Sequence, residues 1–218
     1  MPYGYNGKIL RVDLSTRDMT IEEHDEYFYR TYIGGATLGA YYLLKEQKTG
    51  IDPLSPENII VFACSVVTGT PAPGFSRNAI VSKSPLTGAI ADSQAGGFWG
   101  PELKFAGYDA IVIKGKAKSP VYLFIKDDEG EIREADHLWG KTTGEVEQII
   151  RKEHSDPRIR VLAIGCAGEN LVKFANVLND CKHASGRLGM GAVMGSKNLK
   201  AIAVRGHNRI KIKDEETV

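Results

Sequence analysis

The chain has 218 residues, and its 28 basic and 27 acidic side chains leave a formal net charge of only +1 at pH 7. No block of like charge stands out, which argues against a nucleic-acid surface and against a membrane-surface helix. No apolar run approaches the roughly 20 residues of a membrane span, and residues 1–8 lack the apolar segment of a signal peptide. We therefore expect a cytoplasmic protein of one large domain or two small ones.

The cysteines Cys64, Cys166 and Cys181 form no C-x-x-C pair, so the chain has no complete local zinc or iron–sulfur motif. Their odd, sparse number fits reduced thiols in a cytoplasm. Cys64 lies in an apolar run and is predicted to be a small buried hydrophobe. Cys166 and Cys181 are predicted to lie in loops.

The chain opens with a predicted β-hairpin, because residues 7–14 and 19–23 alternate apolar and polar side chains around a turn. Residues 27–47 have helical periodicity. Gly34 and Gly35 interrupt it, so we expect a helix break or a close backbone approach there. A strand is predicted over residues 58–64.

A long loop over residues 65–76 comes next, and loops of this length inside a compact domain are usually functional or disordered. A strand is predicted over residues 77–82. The elements predicted after it are a glycine-rich stretch over residues 95–100, a short helix over 101–106 and a strand over 108–113.

The remaining elements begin with a predicted hairpin formed by residues 121–126 and 131–134. Residues 143–153 form an amphipathic helical pattern with Thr142 or Thr143 as its cap. Three further strands are predicted, over residues 160–164, 172–178 and 199–205.

Residues 184–200 hold four glycines, namely Gly186, Gly189, Gly191 and Gly195. Glycines at this density let a backbone approach a ligand and point its N–H groups at anionic oxygens. Arg187, Lys197 and Lys200 offer positive charge for a phosphate. A tight turn that enters a helix is the alternative interpretation.

The two glycine-rich stretches are related by a shift of 91 positions. The shift aligns Gly100 with Gly191, Leu103 with Met194, Ala110 with Ala201, Ile113 with Val204, and Gly115 with Gly206. Upstream, residues 60–64 resemble residues 160–164. Such repeats usually share one supersecondary unit. Two similar half-domains would hold a two-fold ligand, or two copies of one ligand, between their glycine-rich loops.

Four separated motifs carry a resemblance to a known family. They are SPLTG at residues 84–88, ELKFAGYDAI at 102–111, GENLVKFA at 168–175 and GAVMGSKNLKAI at 191–202. In this order, and over nearly the whole chain, they resemble the N-terminal domain of tungsten-containing aldehyde:ferredoxin oxidoreductases.

The resemblance implies an α+β, β-rich fold of two similar half-domains with mixed or antiparallel sheets and a few short helices. The halves would cover residues 1–115 and 116–210. Residues 211–218 would begin the linker to C-terminal domains.

The resemblance also implies a cofactor, tungsten or molybdenum held by two pterin dithiolenes whose phosphates are bridged by Mg²⁺. The positions that match the cofactor surface are Arg77, Asn78, Ser93, Gln94, Ala95, Gly96, Gly97, Ala184, Ser185, Gly186, Arg187, Gly189 and Gly191. Magnesium would take one oxygen from Gln94, where some members have asparagine, and one from the Ala184 carbonyl. Oxygen ligands suit such a hard cation.

Arg77 matches a family arginine that bridges the pterin and a 4Fe-4S cluster by hydrogen bonds, and a planar guanidinium with several fixed donors suits that role. With magnesium offsetting the phosphate charge, Lys197 and Lys200 are expected to be solvated side chains of a helix and a strand.

For a whole enzyme the resemblance implies oxidation of an aldehyde to a carboxylate, with electrons passing through the cluster to ferredoxin. The family's cluster-binding cysteines and acid–base residues belong to C-terminal domains, so no residue of this chain is assigned a catalytic role and the chain alone is expected to be inactive. Its uncovered cofactor surface could drive homo-oligomerisation.

A stand-alone cofactor carrier or assembly module is the alternative function. A nucleotide-binding domain is disfavoured because neither phosphate-loop fingerprint is present.

Overall fold

The computed structural model describes residues 3–214 and 216, which form two six-stranded sheets with short helices. The strands of the first sheet are β1 (Lys8–Asp13), β2 (Asp18–Glu23), β3 (Ile60–Cys64), β4 (Asn78–Lys83), β5 (Ile90–Ala95) and β6 (Ala110–Lys114). The strands of the second sheet are β7 (Val121–Lys126), β8 (Glu129–Glu134), β9 (Arg160–Ala163), β10 (Val177–Asn179), β11 (His183–Ser185) and β12 (Leu199–Arg205).

The helices lie between the strands and at their ends. They are α1 (Glu26–Tyr32), α2 (Gly35–Glu46), α3 (Trp99–Phe105), α4 (Thr143–Glu153), α5 (Cys166–Glu169) and α6 (Met190–Ser196), with a single 3₁₀ turn at Asp136–Leu138. None of the helices in the described ranges is long and apolar enough to cross a membrane.

The two sheets have the same topology. The first has the order β2-β1-β6-β3-β4-β5, and the second, taken from its other edge, has the order β8-β7-β12-β9-β10-β11. Strand β1 is parallel to β6, as β7 is to β12, and every other neighbouring pair in both sheets is antiparallel. The predicted internal duplication is therefore confirmed, and it extends to the hairpins β1–β2 and β7–β8.

The core between the halves is continuous. Side chains of both sheets, such as Phe62 and Ile202, belong to one buried cluster with helices α3 and α6. Trp99 is fully buried there, and its indole N–H donates to the carbonyl of Ile202 across the halves at 2.9 Å. Burial of this apolar surface is the main force that holds the two halves together.

Separate apolar clusters lie on the outer face of each sheet. Helices α1 and α2 cover the first, around Tyr29, Tyr42 and Val61, and α4 covers the second, around Val146 and Ile150. Because apolar clusters cover both faces of the central strands, the sequences of these strands are continuous apolar runs.

The expected interruption of the first helical segment is confirmed. Gly34 has φ +122° between α1 and α2, and a Cβ there would lie 2.4 Å from the carbonyl oxygen of Cys64. Only glycine fits where two backbones approach so closely. The predicted cap of α4 is also confirmed, because Thr142 accepts from the N–H of Glu145 and the Glu145 carboxylate accepts from the N–H of Thr142.

Several local predictions were wrong or incomplete. The strand predicted over residues 172–178 is only β10, because residues 171–174 form turns before it. Strands β5 and β11 were not predicted. Cys166 is the first residue of α5 rather than part of a loop, whereas Cys181 does lie in a turn.

The two lysines predicted to be solvated are fully buried. Lys197 donates from Nζ to the carbonyls of Pro56 and Gly115, both at 3.1 Å. Lys200 donates to the carbonyl of Lys141 at 2.9 Å and forms an ion pair with Glu169. Buried lysines of this kind need partners, and here most of the partners are carbonyls from distant parts of the chain.

The expected linker over residues 211–218 lies partly outside the described residues. Within them, the carbonyl of Lys211 accepts a hydrogen bond from the N–H of Gly4 at 2.8 Å. The two ends of the described chain therefore meet.

Candidate cofactor groove

The edge strands β5 and β11 of the two sheets lie side by side, and residues from both line an open groove of about 480 Å³. The lining residues are Arg77, Asp92, Ser93, Gln94, Ala184, Gly186 and Arg187. All of them except Asp92 were predicted to contact a cofactor. A groove of this size is within the range of small-molecule sites.

The sheet register makes Gln94 and Ala184 equivalent positions of the two halves. Following the paired residues outward from β6 and β12 gives the series Ala110–Ala63–Ala79–Gln94 in one half and Ala201–Ala163–Leu178–Ala184 in the other. The series start at two alanines that the shift of 91 positions aligns. The duplicated fold thus places one residue from each half at corresponding points of the same groove.

Two oxygen-bearing side chains of the first half, those of Asp92 and Gln94, line this groove. Gln94 is exposed, and its amide nitrogen donates to the Asp92 carboxylate at 2.8 Å. That bond leaves the amide oxygen of Gln94 as the atom available to a cation. Amide, carboxylate and carbonyl oxygens together are the donors that hard divalent cations prefer.

Asp92 was missed by the sequence analysis. It lies two residues before Gln94 on β5, and strand residues two apart point to the same face. Recognising residues 90–95 as a strand would have placed Asp92 beside Gln94. Their burial alternates in this way, with Ile90, Asp92 and Gln94 exposed.

Positive charge comes from both sides of the groove. Arg77 precedes β4 and Arg187 follows β11, and both side chains are exposed. The backbone N–H of Arg187 donates to the Ser93 hydroxyl at 3.1 Å, which ties the second loop to the first sheet. Two guanidinium groups beside oxygen donors suit an anionic group that also carries a cation, such as a phosphate with Mg²⁺.

The other predicted residues of the first half support the groove rather than line it. Ala95 is buried, and Asn78 is 1% exposed with its amide oxygen accepting from Asn179 at 2.8 Å. Gly96 and Gly97 form the turn before α3. Gly97 has φ +98°, and a Cβ there would lie 2.8 Å from the His183 ring.

The other predicted residues of the second half also point away from the groove. Ser185 is fully buried. Gly189 and Gly191 are absent from the groove lining and have packing reasons to be glycine. A Cβ at Gly189 would lie 2.0 Å from the carbonyl oxygen of Lys173, and one at Gly191 would lie 2.3 Å from that of Asn176.

The cysteines do not contribute to the groove. Complete burial raises the pKa of the Cys64 thiol to about 12, which confirms it as a buried small side chain. Burial and the nearby Glu147 carboxylate raise the pKa of Cys181 to about 12 as well. Within residues 3–214 and 216, no group of three or more histidine, cysteine or acidic side chains could hold a metal ion.

The chain is similar to several oxidoreductases, among them tungsten-containing aldehyde ferredoxin oxidoreductases. It is 53% identical to a tungsten-containing aldehyde ferredoxin oxidoreductase of Pyrococcus furiosus over 98% of this chain and 35% of that protein. It is 42% identical to an aliphatic sulfonate oxidoreductase, WOR-like subunit, of the same organism over 94% of this chain and 35% of that one. The chain thus spans about a third of the length of these relatives.

A solved structure has the same fold. The active-site complex BamBC of benzoyl coenzyme A reductase, solved with 1,5-dienoyl-CoA, superposes with a TM-score of 0.96 at 42% identity, over 99% of this chain and 33% of that one. The family model for the aldehyde ferredoxin oxidoreductase N-terminal domain matches residues 9–206. The chain therefore belongs to the aldehyde ferredoxin oxidoreductase family and corresponds to its N-terminal domain.

Proposed function

We propose that this domain is the base on which a tungsten bis-pterin cofactor lies in an aldehyde:ferredoxin oxidoreductase. The observation that carries the proposal is the placement of two equivalent residues, Gln94 and Ala184, in one groove together with Arg77 and Arg187. A duplicated fold with one binding position in each half suits a cofactor built from two pterins. The tungsten-containing relatives support the same assignment.

The residues present fit the peripheral parts of such a cofactor. The groove offers hard oxygen donors, which suit Mg²⁺, and two arginines, which suit phosphates. It offers no thiolate or imidazole cluster that would suit tungsten itself. We therefore assign to this chain the magnesium and phosphate contacts, through Gln94, Ala184 and Arg187, and the pterin contact, through Arg77.

In this role the four residues would orient the cofactor and neutralise its phosphate charge, and none of them would take part in the reaction. The Gln94 amide oxygen and the Ala184 carbonyl would bind one magnesium ion from opposite halves. Arg187 would offset phosphate charge at the groove, and Arg77, at its rim, would donate to the pterin and to a neighbouring 4Fe-4S cluster. When bound, the cofactor supplies the two-electron chemistry that converts an aldehyde to a carboxylate.

The remaining parts of the reaction belong to the partners of this domain. In the proposed full-length enzyme, further domains bind the cluster and supply acid–base residues, and ferredoxin accepts the electrons. The domain would cover residues 1–210 and would be inactive alone. The relatives include a sulfonate oxidoreductase and a glyceraldehyde-3-phosphate:ferredoxin oxidoreductase, so the substrate is assigned only as an aldehyde.

The proposal is tested by measuring tungsten, magnesium and pterin in the full-length protein purified without oxygen. We expect one tungsten and two pterins per chain. A correctly folded protein that contains neither metal nor pterin would overturn the proposal.

A pair of variants tests the groove itself. Arg187→Ala is expected to lower the pterin content, because it removes a cation that faces the phosphates. The matched control is Arg158→Ala, since Arg158 is an exposed arginine of the same half that pairs with Asp156, away from the groove. Equal pterin content in both variants would contradict the assigned role of Arg187.

A further inference from the structure

The hairpin β10–β11 turns beside the groove through two residues in the left-handed conformation. The N–H of Lys182 donates to the carbonyl of Asn179 at 3.1 Å, and the two residues between them, Asp180 and Cys181, have φ +49° and +57°. Aspartate tolerates this left-handed conformation, but cysteine does so only at a cost. Strain of this kind persists where the surrounding structure requires it and is frequent at functional sites.

The turn is bound to the other half of the molecule. The Asp180 carboxylate accepts from the N–H of Phe98 at 2.9 Å. The Asn179 amide nitrogen donates to the carbonyl of Gly96 at 3.0 Å and to the amide oxygen of Asn78 at 2.8 Å. Both amide hydrogens of Asn179 are therefore used across the boundary between the halves.

Both side chains of the turn that bond to the other half are buried. Asn179 is fully buried and Asp180 is 8% exposed. A buried carboxylate carries a desolvation cost, which its hydrogen bond offsets only in part. Burying this carboxylate in a strained turn lowers the stability of the fold. We therefore infer that the structure requires the position of these side chains rather than their contribution to stability.

The contact joins the two segments that carry the proposed magnesium ligands. Residues 96–98 begin two positions after Gln94, and the turn 179–182 ends two positions before Ala184. Gly97 also packs directly on the ring of His183, the neighbour of Ala184. A shift of this contact would change the separation of the two ligand oxygens.

We propose that Asn179 and Asp180 are positioning residues, which fasten residues 96–98 to the β10–β11 turn and so hold the oxygens of Gln94 and Ala184 at the separation that one magnesium ion needs. This inference rests on the proposed function. Neither residue lines the groove, so both would act through the turn before α3.

The test uses the full-length enzyme with its cofactor and follows magnesium and pterin loss into EDTA. Asp180→Ala removes the acceptor for the Phe98 N–H, and we expect roughly tenfold faster magnesium loss, as for other supports of metal ligands. Asp180→Asn keeps an acceptor oxygen of the same shape and is expected to restore loss to near the wild-type rate. The pair isolates the effect of the acceptor oxygen at this position.

Glu102→Ala is the matched control. Glu102 is also 8% exposed and its carboxylate also accepts a backbone N–H from the other half, that of Gly206 at 2.9 Å, but it does not line the groove. We expect magnesium loss at the wild-type rate even if this variant melts at a lower temperature. Faster loss from Glu102→Ala equal to that from Asp180→Ala would overturn the positioning role.

A second variant covers the case in which Asp180→Ala does not fold. Asn179→Asp keeps the size of the side chain and can still bond Asn78 after that amide rotates, but it has no donor for the Gly96 carbonyl. We expect faster magnesium loss and faster amide hydrogen exchange in residues 96–98. Wild-type values of both would overturn the inference.

The two proposals fail in different ways. A wild-type enzyme without magnesium or pterin would overturn the proposed function and this inference with it. A loaded wild type, together with an Asp180→Ala variant that keeps magnesium as well as the wild type does, would overturn the positioning role alone.

Discussion

The two halves of the molecule share one backbone plan but carry opposite charges at an equivalent buried position. Asp109 lies directly before β6, and Lys200, the second residue of β12, is the corresponding residue 91 positions later. The Asp109 carbonyl accepts from the N–H of Cys64 at 2.9 Å, and the Lys200 carbonyl accepts from that of Ile164 at 3.1 Å. The backbone contact was kept in both halves while the side chain reversed its charge.

Each half neutralises its buried charge locally. Asp109 pairs with Lys104 and also accepts from the N–H groups of Asn6 and Gly7. Lys200 pairs with Glu169 and donates to a carbonyl. The duplicated backbone therefore sets where the sheets and the groove lie, whereas each half has its own set of buried polar contacts.

The largest effect is expected from breaking the pair of the second half. Lys200→Met should lower the free energy of unfolding by about 3–5 kcal/mol, because the Glu169 carboxylate, whose side chain is 5% exposed, stays buried without its cation. Urea denaturation measures the change. Lys200→Met combined with Glu169→Gln should recover most of the loss, and a single variant as stable as the wild type would contradict the argument.

A second contrast concerns the aligned glycines Gly100 and Gly191. A Cβ at Gly191 would lie 2.3 Å from the Asn176 carbonyl oxygen, whereas at Gly100 the nearest atom, the Ser76 carbonyl oxygen, is 3.1 Å away. We expect Gly191→Ala to destabilise by about 3 kcal/mol through overpacking. Gly100→Ala should cost about 1 kcal/mol or less, since better helix propensity offsets a small shift. Equal losses in thermal denaturation would refute this difference.

The sequence predicted the elements whose pattern is local. Alternation predicted β1 and β2, and the capping residues predicted the start of α4. Strand β5 was missed because its buried side is made of small side chains, Ala91, Ser93 and Ala95, while Ile90 at its start is exposed. The side chains of β5 therefore alternate, but the small ones are buried and the largest apolar one is exposed, which is the reverse of the usual strand pattern.

The resemblance named most of the residues that line the groove as cofactor contacts, whereas the contacts that support the groove were not predicted. Six lining residues, among them Arg77, Gln94 and Ala184, were named from the sequence. The burial of Lys197 was not predictable, because its partners are carbonyls at residues 56 and 115 that only the folded chain brings together. The contact between Asp180 and Phe98 likewise depends on how the two halves pack.

A third prediction concerns Lys197, whose aligned position in the first half is the apolar Ala106. Burial lowers the pKa of Lys197 from its ordinary value of 10.5 to about 7. Between these values the unfolded chain binds a proton that the folded protein does not, so stability rises with pH across this window by up to about 1.4 kcal/mol per unit.

Lys197→Met should remove this rise, and urea denaturation at pH 7, 8 and 9 measures it. The difference in slope between the wild type and the variant gives the contribution of Lys197 alone. Burial also raises the pKa of Tyr29 and Tyr42, but these tyrosines change the pH dependence of stability only at higher pH. A wild type and a variant with the same slope would contradict a neutral buried amine.

The smallest effect is expected at the N-termini of the helices that cover the outer faces of the two sheets. Helix α4 begins with the reciprocal cap of Thr142 and Glu145, whereas its counterpart α2 follows Gly34, which provides no side-chain cap. Thr142→Ala should therefore cost about 1 kcal/mol, and Thr142→Ser, which keeps the hydroxyl, much less. Because the cap satisfies an otherwise unpaired N–H of the first turn, amide exchange at Glu145 should rise in the alanine variant alone. Equal exchange in both variants would show that packing on the sheet, as in α2, is sufficient to start the helix.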